Sequence, residues 1–108
     1  MVDNTIKELA ELIKERREKS PDKSYVSKLI NKKGRKKIAQ KVGEEAVELA
    51  IAAVAEKKKH VVSESADLLF HMMVLWEELG VSYEDVAAEL QSRMGMSGLD
   101  EKAARKSE

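Results

Sequence analysis

The sequence has no cysteine, a single proline and only five glycines, and its aromatic content is 4%. Without thiols it can form neither disulfides nor thiolate metal sites. With so little proline and glycine, few positions are forced into turns, and the abundant Ala, Leu, Val, Ile, Glu and Lys favour helix. No apolar run approaches the ~18 residues of a membrane span, and Asp3, Lys7 and Glu8 interrupt any signal-peptide-like start. Net charge is also missing: 20 basic residues balance 20 acidic ones. That balance argues against a general nucleic-acid or membrane binder. The expectation is a cytoplasmic protein, one all-α domain over residues 1–108, with residues 96–108 as a flexible or partner-docked tail.

Punctuation divides the chain into five helices. Ile6, Leu9, Ala10, Leu12 and Ile13 form one apolar stripe, and Thr5 with Glu8 has capping-box spacing, which predicts a helix over 5–19. Ser20-Pro21-Asp22 breaks it. Tyr25, Val26, Leu29 and Ile30 suggest a short helix over 24–31. From Arg35 to Leu79 the only Gly or Pro is Gly43. One helix of that length would run ~68 Å, too long for a compact domain of this size. The polar run Glu56 to His60 is the natural turn, giving helices over about 35–57 and 61–79. Gly80 then caps the fourth. Ser82 and Asp85 open a fifth, to about Met94, with another capping-box spacing. The fourth helix is apolar around nearly its whole circumference, and such a helix must be buried all round. A lone chain of this size can hardly surround it, so the expectation is a homodimer in which the long antiparallel hairpin forms a four-helix-bundle-like core.

Five carboxylates break the helical pattern: Glu44, Glu45 and Glu48 as E-E-x-x-E, then Glu64 and Asp67 as E-x-x-D. Like charges at i+3 and i+4 repel. Either water and nearby lysines, Lys41 above all, neutralise them, or a cation sits between them. Glu45 falls inside the stripe of Ile38, Val42, Leu49 and Ala53, and Glu64 is flanked by Val61, Leu68 and Leu75. An unpaired buried carboxylate is costly, which tilts the balance toward a hard divalent cation such as Mg²⁺. In an antiparallel hairpin both clusters face each other at comparable height. A di-iron site would need two E-x-x-H pairs, and the chain has none. His71 is more readily a hydrogen-bonded core residue, or one that orients a ligand from behind. Between Lys28 and Lys41 lie seven basic residues and no acidic one, a solubilising connector or a phosphate-holding flap in which Arg35, Lys37 and Lys41 would offset phosphate charge. Tyr25 offers a ring or a hydroxyl to the same ligand.

The run from Ile38 to Glu48 containing Lys41-Val42-Gly43-Glu44-Glu45, followed by Glu64-Ser65-Ala66-Asp67, resembles the phosphoribosyl-ATP pyrophosphatase family, within the all-α nucleotide pyrophosphohydrolases. Segments Ser24 to Leu29 and Ser97 to Lys102 resemble it too. The resemblance implies Mg²⁺-dependent hydrolysis of phosphoribosyl-ATP between its α and β phosphorus atoms, giving phosphoribosyl-AMP and pyrophosphate, the second step of histidine biosynthesis. Glu44, Glu45, Glu48, Glu64 and Asp67 match the metal-binding positions. Glu45, with Glu48 beside it, is the expected catalytic carboxylate, since burial should raise its pKa. Some family members carry a fused cyclohydrolase. With no room for that domain and no Cys for its metal, this chain is expected to be monofunctional. Two alternatives remain: a house-cleaning hydrolase of ordinary nucleoside triphosphates, and a non-catalytic helical dimerisation module.

Overall fold

A computed structural model describes residues 2–94, and among them every regular element is helical. Helix α1 spans Val2–Arg16, α2 Tyr25–Ser27, α3 Arg35–Val54, α4 Lys58–Leu79 and α5 Tyr83–Arg93; α2 runs directly into a π-helical segment, Lys28–Lys33. The tail expected over 96–108 lies outside the described residues.

The all-α expectation and the number of helices hold, while several ends move. Thr5 lies inside α1, so its capping-box spacing with Glu8 does not start the helix. At the other end α1 stops three residues before the expected 19, because Arg17 is drawn away. Its guanidinium donates to the Glu77 carboxylate at 2.7 Å and to the Glu77 carbonyl at 3.2 Å, while its own carbonyl accepts from the Asn31 amide at 2.9 Å. A cation on a carbonyl in the last turn of α4 also suits the negative end of that helix. The expected second helix widens into π geometry, closed by the Gly34 amide donating to the Leu29 carbonyl at 2.8 Å, five residues back. Gly34 has φ 92°, open to glycine and strained for other residues.

The turn between α3 and α4 falls at residues 55–57, at the front of the expected run. It is a Schellman cap: the Glu56 amide donates to Ala53 and the Lys57 amide to Ala52, at 3.1 and 3.2 Å. Glu56 sits at φ 56°, where glycine is usual, so the sequence carries no glycine to announce this turn. At the far end of α4, Gly80 does what was expected of it, at φ 74° with the Val81 amide on the Trp76 carbonyl at 2.9 Å. Ser82 and Asp85 then form the reciprocal capping box, both bonds at 3.0 Å.

So short a turn makes α3 and α4 antiparallel neighbours, and they pack more extensively on each other than any other pair. The buried core gathers at one end of this hairpin. Ile13 from α1, Val26 from α2, Leu29 and Ile30 from the π segment, Ile38 from α3, and Met73 and Val74 from α4 form it, with Leu69, Phe70 and Trp76 packed alongside. Arg35 at the start of α3 bonds Glu78 at 2.7 Å and pins the same end. The turn end of the hairpin has no such cover among the described residues. Within the chain α4 buries only His71, Met73 and Val74, so its apolar circumference is not enclosed by the other helices.

Because an L-residue in the left-handed region costs about 1–2 kcal/mol and glycine does not, Glu56→Gly is expected to raise the unfolding free energy by about 1 kcal/mol. A shift of the urea midpoint to higher concentration would show it. An unchanged or lower midpoint would mean the Glu56 conformation carries no strain.

Candidate metal centre

The hairpin register brings three of the five carboxylates together. Oxygens of Glu45 and Glu48 on α3 and of Glu64 on α4 all lie within 4.8 Å of one another. Glu45 occupies the face of α3 that also carries Ile38, Val42, Leu49 and Ala52, and it is partly buried, as is Glu64; Glu48 is exposed. The helical spacing from Glu45 to Glu48 is three residues, so both point toward α4 from adjacent turns.

The Oε2 atoms of Glu45 and Glu64 are closed off from solvent and accept no hydrogen bond among the described residues. Among the described residues no salt bridge reaches any of the three carboxylates, and Lys41, one turn before Glu45, pairs with none of them. A buried carboxylate oxygen with neither donor nor cation is destabilising. The protein relieves this in part by holding a proton. Glu64 is raised from the ordinary 4.5 to about 7, first because a protonated Glu64 can donate to Glu48, then because of burial, the charge of Glu48, and Glu45. The donor set is all oxygen, anionic and clustered, with two orphaned atoms. That is the chemistry a hard divalent cation fits.

Glu44 and Asp67 stand outside this group. Both are exposed; Glu44 accepts from the Gln40 amide at 2.9 Å on the outer side of α3. Asp67 takes part through its backbone, its carbonyl lying 2.8 Å from His71 Nδ1. A carbonyl only accepts, so Nδ1 carries the proton. Nε2 lies 3.2 Å from the Tyr25 hydroxyl, which can pair with it as donor or acceptor. His71 is buried, and Phe70 stacks on Tyr25 at 6.1 Å. Thus His71 and Tyr25 form one connected unit, with His71 two turns beyond Glu64 on α4. Of the three basic residues expected to face phosphate, Arg35 is engaged with Glu78, Lys37 is exposed with no salt bridge among the described residues, and Lys41 is partly buried.

Some of this was not foreseen. The partners of Arg17 and Arg35, Glu77 and Glu78, have no local signature, since the pairs span 60 and 43 residues. The Ser24 cap does have one. Ser24 and Ser27 stand three apart before a helix, and Ser24 Oγ accepts from the Ser27 amide at 3.1 Å.

The chain is also similar to known proteins. Residues 6–94 match the family described as phosphoribosyl-ATP pyrophosphohydrolase. The phosphoribosyl-ATP pyrophosphatase of Zymomonas mobilis is 52% identical over 105 residues, 97% of each chain. That of Rhizorhabdus wittichii is 55% identical over 101 residues, 94% of each chain. That of Rhodospirillum rubrum is 53% identical over 98 residues, covering 91% of this chain and 83% of the relative.

The raised Glu64 has a consequence for stability. Between pH 4.5 and about 7 the folded protein keeps a proton that the unfolded chain has lost. The folded state binds more protons there, so stability falls as pH rises through that window. In chelator, the unfolding temperature is expected to decline across that range and then level off. Glu64→Gln, which cannot titrate, should flatten the decline. Identical pH profiles for both proteins in scanning fluorimetry would contradict the assignment.

Proposed function

The chain belongs to the phosphoribosyl-ATP pyrophosphohydrolase family, and we propose that it hydrolyses phosphoribosyl-ATP at the α–β phosphoanhydride, with Mg²⁺, to phosphoribosyl-AMP and pyrophosphate in histidine biosynthesis. The observation that carries this reading is the pair of orphaned buried oxygens on Glu45 and Glu64 beside Glu48. A substrate of this kind brings a polyanion. Three unneutralised carboxylates would repel it, unless a cation stands between.

Glu45, Glu48 and Glu64 would hold the Mg²⁺, with Glu44 and Asp67 on the same two helices available to the hydrated ion. The cation supplies neutralisation of phosphate charge and acidifies water. The chain's own residues do the rest. Glu45, fixed on the face turned toward α4, takes the proton of the attacking water as general base. Water adds to one phosphorus of the anhydride, the bridging P–O bond breaks, and pyrophosphate leaves. Lys41 and Lys37, on the turns of α3 before Glu45, lie on the approach and offset phosphate charge. His71, held between Tyr25 and the Asp67 carbonyl, keeps the segment of α4 beyond Glu64 in place.

The same reading includes a homodimer. On α3, Val47, Ile51 and Val54 are 59%, 64% and 85% exposed, and Val62 on α4 is 70% exposed. The first three recur at i, i+4 and i+7, a continuous apolar stripe on the uncovered end of the hairpin. A second hairpin laid against this stripe would complete a four-helix bundle.

Pyrophosphate release should be fastest from phosphoribosyl-ATP, slower from ATP, dCTP and dUTP, and absent in chelator. Preference for a plain triphosphate would sink the substrate assignment. Glu45→Gln is expected to lower kcat by about 10²–10⁴-fold. If instead activity is undetectable in the unaltered protein and Mg²⁺ leaves its unfolding temperature unmoved, the helical-module alternative stands. Sedimentation should give a dimer at micromolar concentration, and Ile51→Glu should shift it toward monomer. A folded monomer of the unaltered chain would refute the dimer.

A further inference from the structure

A cavity of about 410 Å³ lies beside α2, lined by Pro21, Asp22, Lys23, Ser24, Tyr25, Lys28 and Lys32. Lys28 and Lys32 stand one turn apart on the π segment, and Lys23 comes from the turn before α2. Three exposed lysines therefore line a space that, among the described residues, only one carboxylate, Asp22, also lines. Among the described residues no salt bridge or side-chain hydrogen bond engages any of the three. The arginines of the same region behave differently: Arg17 and Arg35 are tied to Glu77 and Glu78.

The wall behind these lysines is rigid. Ser24 and Ser27 are buried. Ser24 Oγ donates to the Arg16 carbonyl at 3.1 Å, and Ser27 Oγ donates to the Lys19 carbonyl at 2.6 Å. The Asn31 amide joins Ser27 Oγ at 3.0 Å and the Arg17 carbonyl at 2.9 Å. Cations on a fixed wall lose less freedom on binding an anion than cations on a mobile loop.

The place of this cavity relative to the carboxylates gives it a purpose. Tyr25, which lines it, is bonded to His71. His71 follows Glu64 by seven residues, so both lie on one face of α4, about 10 Å apart along the axis. Phosphoribosyl-ATP is a substrate with two anionic ends, a triphosphate and a ribosyl phosphate, separated by a purine and two sugars. Resting on the hydrolase reading above, we propose that the cavity of Lys23, Lys28 and Lys32 is a second anion subsite that takes the phosphate monoester of the ribosyl arm, while the carboxylate centre takes the triphosphate. The half-exposed Tyr25 ring, held by Phe70 and His71, lines the cavity and would offer a flat face to the purine. The subsite separates this substrate from ATP, which has no such arm.

The experiment compares the unaltered enzyme with Lys28→Gln/Lys32→Gln. Removing two cations from a phosphate is expected to raise KM for phosphoribosyl-ATP about tenfold or more. The Ki of ATP as a competing ligand should rise by a smaller factor. Lys7→Gln/Lys14→Gln, which removes two exposed lysines of α1, should leave the ratio of these two constants unchanged. Calorimetric titration with ribose 5-phosphate gives a second readout: binding to the unaltered enzyme and its loss in the Lys28/Lys32 variant would support the subsite. An unchanged KM, or equal losses for phosphoribosyl-ATP and ATP, would overturn it while leaving the hydrolase reading intact. An unaltered enzyme inactive on phosphoribosyl-ATP would overturn that reading, and this assignment with it.

Discussion

Two carboxylate oxygens without a partner, one from each long helix, set the terms for the rest of the molecule. Glu45 and Glu64 present them to each other across the α3–α4 contact, with Glu48 beside them. Without a cation the cluster repels itself, and the chain retains a proton on Glu64 to about pH 7 rather than bear three charges. Such an arrangement opposes folding. It persists because other interactions impose the register that creates it, and under the proposed function a cation would turn the repulsion into coordination.

Those other interactions concentrate at the end of the hairpin away from the turn. Ile38 and Val74 are fully buried there, under Ile13 of α1 and Val26, Leu29 and Ile30 of the following segments. Arg17 and Arg35 clamp successive residues, Glu77 and Glu78, near the end of α4. At the opposite end the Schellman turn around Glu56 fixes how the two helices are offset. The carboxylates are thus positioned by a packed core on one side and a short turn on the other. Both act through the helices that carry the carboxylates, which lets the centre bear electrostatic strain.

The helical pattern, Gly80 and the Ser82 capping box were legible because each is a local signal: periodicity, a left-handed cap, a pair of residues three apart. The opposition of Glu45 and Glu48 to Glu64 was legible too, once the polar run at 56–60 was taken as the turn, since register then follows by counting. What stayed hidden was of two kinds. Thr5 with Glu8 shows a local signal without a local consequence, since nothing before Thr5 stops the helix from starting earlier. The Arg17–Glu77 and Arg35–Glu78 pairs show the reverse, a consequence with no local signal. For the same reason counting could place Glu44 and Asp67 near the site but could not say which oxygens converge. That depends on the rotation of each helix, and Glu44 is turned outward to Gln40.

The division of labour between arginine and lysine follows from their chemistry. A guanidinium holds a fixed fork of donors and pairs well with a carboxylate in a set geometry, so it suits the clamps that hold α1 and α3 to α4. An ammonium is a compact charge on a flexible stem, and it adapts to a ligand that comes and goes. Among the described residues Lys23, Lys28, Lys32, Lys37 and Lys41 enter no salt bridge, which leaves their charges for the polyanion of the proposed function. Overall neutrality conceals this separation. Within the balance of 20 against 20, three carboxylates converge at one centre while seven basic residues and no acidic one lie between Lys28 and Lys41. A zero net charge therefore excludes a general affinity for polyanions without excluding a local one.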